Sequence, residues 1–191
     1  MTARLHLLAH CASSATRAAR FPDDEALEAP AARALEALSG RLRSYHRVLT
    51  APARAARETA AALGFDAAVE AALRDCDYGR WRGLAIADVA ASEPNGFAAW
   101  LSDPAAAPHG GESLAALMER AGGWLAEWLV VDGATLAVTH AAVVRAAIVS
   151  ALGAASSAFW RIDVAPLSLA RLSGRDGRWN LVALGALEAL S

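Results

Sequence analysis

Two of the five histidines, His10 and His140, fall at the ends of short apolar runs, Leu5–Ala9 and Leu136–Val138. Imidazole in that position suits work on phosphorus. A neutral ring can attack the phosphorus atom directly, and a protonated ring can hold the negative charge that develops on its oxygens. Such a transfer also needs further donors around those oxygens and an acid for the leaving group. Either histidine alone reads equally well as a hydrogen-bonded side chain closing a strand. The pair, at equivalent strand ends, points to a site.

The elements that must carry these residues follow from the spacing of apolar positions. Leu5–Ala9 reads as a buried strand that breaks at once into a polar loop, Ser13–Thr16. Helical spacing runs through Ala31, Leu35, Leu38 and Leu42. Val48-Leu49 predicts a second short strand. Pro52 then stands where it could open a helix to Leu63, with Gly64 as its stop. Asp75–Gly83 is polar, aromatic and punctuated by glycine, hence a loop. Pro94, Pro104, Pro108 and Gly110-Gly111 mark further irregular segments. Glu112–Val130 predicts the longest helix, with Leu114, Leu117, Met118, Ala121, Leu125 and Leu129 on one face. Leu136–Val138 is a strand and Val143–Leu152 a helix. Two apolar stretches, 167–172 and 179–184, flank Gly174-Arg175-Asp176-Gly177 in a hairpin pattern. Strands alternating with helices predict an α/β fold, a mostly parallel central sheet with helices on both faces, formed by one domain over residues 1–191. In such sheets, sites gather at the carboxyl ends of the strands, where both histidines fall.

Composition narrows the partners. Of 191 residues, 55% are hydrophobic and 20% charged, a balance that supports a globular core. A net charge of −2 gives no field that would draw the chain to nucleic acid. No apolar run is long and clean enough for a membrane span, and Leu5–Leu8 is too short for a secretion signal, so the expected location is the cytoplasm. All 18 basic side chains are arginine. Any anion site must therefore be built from arginine, histidine and backbone amides, and the rigid guanidinium fork suits that role. Cys11 and Cys76 form no paired metal motif, and a cytosolic setting argues against a disulfide between them. Apolar surface among so many alanines could support a homodimer.

Five short motifs in order give the chain a resemblance. Ala9-His10-Cys11 resembles the Arg-His-Gly motif after the first strand of histidine phosphatases, the phosphoglycerate mutase-like superfamily. Thr50-Ala51-Pro52 with Thr59-Ala60 is similar to their Ser-Ser-Pro stretch and its downstream Thr-Ala. Leu73 to Gly83 resembles their acid-bearing loop. Gly110-Gly111-Glu112-Ser113 and Val138-Thr139-His140-Ala141 resemble their later Gly-Gly-Glu-Ser and Ser-His-Gly motifs. The resemblance implies a phosphoglycerate mutase-like fold and hydrolysis of a small phosphomonoester. In it, His10 becomes phosphorylated, His140 helps to bind the phosphoryl group, and Asp75 protonates the leaving oxygen. It implies neither a metal nor an organic cofactor.

The departures fall on charged groups. The first motif's arginine is Ala9 and the second motif's is Ala55; the loop glutamate is Asp75, and the motif glycines are Cys11 and Ala141. Losing one donor to a charged transition state typically costs roughly 3–4 kcal/mol, or about 10²–10³ in rate. Arg17, one loop-length past His10, and Arg54, next to the vacant position, are the candidate replacements, ahead of Arg57 and Arg20. Ser13 in the polar loop and Tyr78 in the acid-bearing loop complete the expected substrate-binding set. Glu112 reads either as a reserve acid or as a charge favoured beside a helix start. Two rival readings stand. One is a catalytically impaired pseudo-phosphatase that binds a phosphorylated ligand or partner. The other is a cysteine-dependent phosphatase, because Cys11 and Arg17 keep that chemistry's Cys-x-x-x-x-x-Arg spacing; it requires a lowered thiol pKa and converging amides.

Overall fold

The computed structural model describes residues 3–36, 39 and 44–187. The chain begins with β1 (Ala3–Ala9), in which Leu5, Leu7 and Leu8 are buried. The single-turn α1 (Ser14–Arg17) follows, its amino end capped by the Ser13 hydroxyl. Then come α2 (Ala29–Glu36), β2 (Arg47–Thr50), α3 (Arg54–Ala62) and the two-residue β3 (Ala68–Val69). Next are α4 (Ile86–Ser92), α5 (Pro94–Ser102), α6 (Leu114–Trp128), β4 (Gly133–Thr139) and α7 (Ala141–Leu152). The hairpin β5 (Ser168–Arg175) and β6 (Arg178–Ala186) ends the described fold.

The six strands form one mixed sheet in the order β3-β2-β4-β1-β5-β6. The first four are mutually parallel, and the hairpin adds two antiparallel strands beyond β1. Successive side chains of a strand point to opposite faces. In β4 every residue from Ala134 to Thr139 is buried, so both faces of the sheet centre are covered. α6 and α7 pack against each other, as do α2 and α3, and Trp179 of β6 is tied by its indole N–H to the Leu125 carbonyl, 2.9 Å away. A smaller cluster, Phe21, Trp81 and Val89, forms beside the main core under α4 and α5. Among the described residues, no helix is long and apolar enough to cross a membrane.

Most predicted elements appear near their predicted limits. α6 opens at Leu114 because the Ser113 side chain accepts from the Ala116 amide. The β5–β6 turn uses Asp176 and Gly177, both at positive φ, the backbone that a tight two-residue hairpin demands. Pro94 is a correction: it stands in the first turn of α5, where its fixed φ favours a start, rather than marking an irregular segment. Leu38 and Leu42 of the predicted second helix lie outside the described residues, and its described part ends at Glu36.

Candidate active site

The sheet register brings the two histidines together. Ala9 of β1 lies opposite Thr139 of the neighbouring parallel β4, so the next residue on each strand is a histidine at the same level. The His10 amide donates to the Thr139 carbonyl at 2.8 Å, and the ring centroids stand 4.9 Å apart, nearly edge to face. His10 Nδ1 lies 2.7 Å from the Cys11 carbonyl oxygen. A carbonyl only accepts, so Nδ1 carries the proton, and in the neutral ring the free lone pair is on Nε2. Burial, reinforced by His140, pushes the His10 pKa below its ordinary value and favours that neutral ring.

His140 is 4% exposed, and neither ring nitrogen has a hydrogen-bond partner among the described residues. Asp75 Oδ2 approaches its Nδ1 at 3.3 Å, but the alignment makes no hydrogen bond. Burial dominates both members of this pair. It pushes His140 down to about 4 and Asp75 up to about 6. Near neutrality the histidine is therefore uncharged, while the carboxyl can still hold a proton on the acid side of pH 7.

A buried ion pair fixes the loop that carries Asp75. Arg120, on α6, grips Glu112 with Nε and one terminal nitrogen at 2.9 and 2.7 Å. The same guanidinium donates to the carbonyls of Ala72, Arg74 and Asp75. The Thr139 hydroxyl adds a bond to the Leu73 carbonyl at 2.7 Å. Glu112, beside the start of α6, is thus a structural anchor with its side chain only 9% exposed. The adjoining Gly111 is required by close approach: a Cβ there would collide with the Asp77 carbonyl.

These residues open on a cleft of about 360 Å³. His10, His140, Asp75 and Ser13 line it, with Ala53 and Ala55 from the start of α3. Its two arginines are ones that sequence reasoning missed, Arg74 and Arg82. Each already faces a carboxylate: Arg74 meets Glu112 at 3.2 Å and Arg82 meets Asp77 at 2.9 Å. Asp23, Asp24 and Glu25 form another wall. Among the described residues, five carboxyl groups therefore share the lining with two guanidiniums. Among the described residues, no group of three or more His, Cys, Asp or Glu side chains could hold a metal ion.

Of the remaining candidates, Ser13 borders this cleft and the others do not line it. Arg17 is exposed and pairs with Glu28 at 2.6 Å; Arg54 pairs with Glu58 at 2.7 Å; neither lines the cleft. Both sit on helices whose side chains run along the surface, so i,i+4 or loop carboxylates take them. Arg20 and Arg57 are exposed, and neither lines the cleft. The Ser13 hydroxyl caps α1 while its residue borders the cleft. Tyr78 belongs to a neighbouring aromatic cavity of about 340 Å³, with its ring 5.1 Å from that of Phe21. Cys11 is 7% exposed, and burial pushes its thiol pKa up. The amides of Arg17 and Ala18 close α1 instead of converging on an anion. The buried thiol and the use of these amides within α1 both disfavour a cysteine nucleophile. The two cysteines are free thiols.

The profile of the histidine phosphatase superfamily, branch 1, matches residues 5–186. A bifunctional protein of Mycobacterium tuberculosis is 34% identical over 131 residues, which is 64% of this chain and 36% of that protein. Phosphoserine phosphatase 1 of Hydrogenobacter thermophilus is 31% identical over 111 residues, 55% of this chain and 51% of that protein. The chain thus spans between about a third and half the length of these two curated relatives. The solved structure of mycobacterial glucosyl-3-phosphoglycerate phosphatase superposes with a TM-score of 0.85 at 25% identity, covering 97% of this chain and 100% of that one. With a family profile running through both histidine strands and nearly the whole described fold, the chain belongs to the histidine phosphatase superfamily.

Proposed function

We propose that this protein hydrolyses small phosphomonoesters by passing the phosphoryl group through Nε2 of His10. The observation that carries the reading is the bond from His10 Nδ1 to the Cys11 carbonyl, which leaves Nε2 as the nucleophilic nitrogen. In the first step Nε2 forms a bond to phosphorus while the ester P–O bond breaks. Asp75, with its raised pKa, delivers a proton to the departing oxygen. In the second step water attacks the phosphohistidine, Asp75 takes a water proton, and the P–N bond breaks to release phosphate. His140 has two unpartnered ring nitrogens beside His10 and serves the equatorial oxygens. Arg74 supplies the guanidinium. Its partner Glu112 is already held by Arg120 through two bonds, so Arg74 can turn to a phosphoryl oxygen without stranding a buried charge. Relatives named as phosphoserine and glucosyl-3-phosphoglycerate phosphatases support a small organic phosphate as substrate.

The test is p-nitrophenyl phosphate hydrolysis from pH 5 to 8 by wild type, His10→Ala and Cys11→Ser, with acid-labile phosphoprotein trapped by quenching. Turnover and labelling lost only in His10→Ala are expected. Equal rates in wild type and His10→Ala would remove the mechanism. A second reading, phosphoryl-ligand binding without turnover, is favoured by one observation: both cleft arginines are already paired with carboxylates. It predicts vanadate binding with no label in any form.

A further inference from the structure

Part of the cleft lining consists of carboxylates that nothing in the proposed reaction uses. Asp23, Asp24 and Glu25 line the same cleft as His10 and His140. The Glu25 charge raises the proton affinity of His10, and that of Asp24 does the same for His140. The loop holds a defined shape. Asp24 sits at φ 61°, and its Oδ1 accepts from the Arg54 amide at 2.7 Å. Glu25 Oε2 accepts from the Asp23 amide at 3.1 Å, and the Leu27 amide donates to Glu58 at 2.7 Å. Among the described residues, none of the three carboxylates is in an ion pair, whereas both cleft arginines are. An imidazole in the same cleft has the opposite need. His140 is almost wholly buried, borders the cleft, and has no hydrogen-bond partner on either ring nitrogen among the described residues.

Among the described residues, the cleft therefore holds a buried imidazole that lacks an acceptor and three carboxylates that lack a cation. A dianionic phosphate with a neutral tail satisfies the first and is repelled by the second. We propose that the cleft selects phosphomonoesters whose leaving group carries an ammonium cation, with Asp23, Asp24 and Glu25 as the surface that receives it. The proposal rests on the hydrolase reading only for the placement of the phosphoryl end at the histidines. Asp24 Oδ2 and Glu25 Oε1 remain available to the ammonium after the loop's own bonds are made.

The test uses two non-hydrolysable ligands of equal length, 3-aminopropylphosphonate and butylphosphonate, which differ in an ammonium for a methyl. Binding to the wild-type chain and to the triple variant Asp23→Asn/Asp24→Asn/Glu25→Gln is measured by calorimetry at low salt. The amides keep the loop's acceptor oxygens, and asparagine tolerates positive φ. Wild type is expected to prefer the amine by about tenfold, the scale of several partly exposed charge contacts. In the triple variant the amine should bind about tenfold more weakly and butylphosphonate more tightly, because repulsion is removed. Equal affinities in wild type, no measurable binding of the amine, or a preference that survives in the triple variant overturns the proposal. Aryl phosphate turnover, measured in parallel, reports on the reaction alone. A preference without turnover keeps the recognition and removes the hydrolase reading.

Discussion

Replacing Asp75 by asparagine separates the acid's chemistry from its cost to the fold. The amide is nearly isosteric and its Oδ1 can still accept from the Cys76 amide, 2.9 Å away in the native loop. The Arg120 contacts to this loop run to backbone carbonyls and should survive. What disappears is the proton for the leaving oxygen, a contribution of roughly 10²–10⁴ in rate. The loss should be near that size for an alkyl phosphate and much smaller for p-nitrophenyl phosphate, whose leaving group needs little protonation. The fall in activity above about pH 6 should vanish with the carboxyl. Stability should move the other way. The folded carboxyl binds its proton more tightly than the unfolded one, with a pKa raised from 3.8 to about 6. Its favourable contribution is complete below the unfolded value and is lost as pH rises through the folded one. That rise corresponds to about 3 kcal/mol at about 1.4 kcal/mol per pH unit. The side chain is 18% exposed, so solvent screening takes only part of this. Asparagine has no such loss. Taking about 2 kcal/mol after screening and about 2–4 °C per kcal/mol for a chain of this size, the variant should melt roughly 4–8 °C above wild type at pH 8, with the gap closing towards pH 4. Equal rate losses on the two substrates would refute the acid assignment. Equal melting temperatures at pH 8 would refute the claim that the folded site strains to hold an ionised carboxylate.

Two further substitutions test the groups around the acid. Arg74→Ala should raise KM for phosphomonoesters about tenfold, the scale of one charge-assisted hydrogen bond, whereas Arg17→Ala should leave kcat/KM within twofold. Similar effects from both, measured by steady-state kinetics, would return the phosphate contact to the helix arginines. Arg120→Ala should destabilise the fold by about 3–5 kcal/mol in urea unfolding, because it leaves Glu112 buried with only the half-exposed Arg74 for company. A change below about 1 kcal/mol would show that the pair does not brace the acid loop.

The sequence marks the two histidine strand ends more readily than what surrounds them. His10 and His140 could be found because each ends an apolar run, a local signal. Their adjacency was not local: it depends on β1 and β4 pairing across more than a hundred residues of chain. The same limit hid the carboxylate wall, since residues 22–25 carry no motif and reach the cleft only because the loop returns to bridge Ser13 with Leu27. Arg74 was passed over although it immediately precedes the acid; that position was the available signal. Arg17 and Arg54 drew attention by their distance along the chain, yet acids placed within reach captured both. α4 and α5 escaped because neither has a side-chain cap at its start, and a proline at the second start looked like a breaker.

The Ala9–Thr139 register has a consequence for how such a protein can change. The sheet acts as a jig that sets the spacing of the imidazoles, whatever the loops do. Insertions between residues 17 and 47 lengthen the path without moving either ring, because closing a longer loop costs little. Deleting one residue inside β1 or β4 would instead shift a histidine by about 3.3 Å and turn it to the other side of the sheet. Arginines at helix starts and in loops have no such jig, and their places can drift from one sequence to the next. Variation in this architecture is thus channelled: the histidine pair persists or is lost outright, while the charges beside it are free to be rewritten.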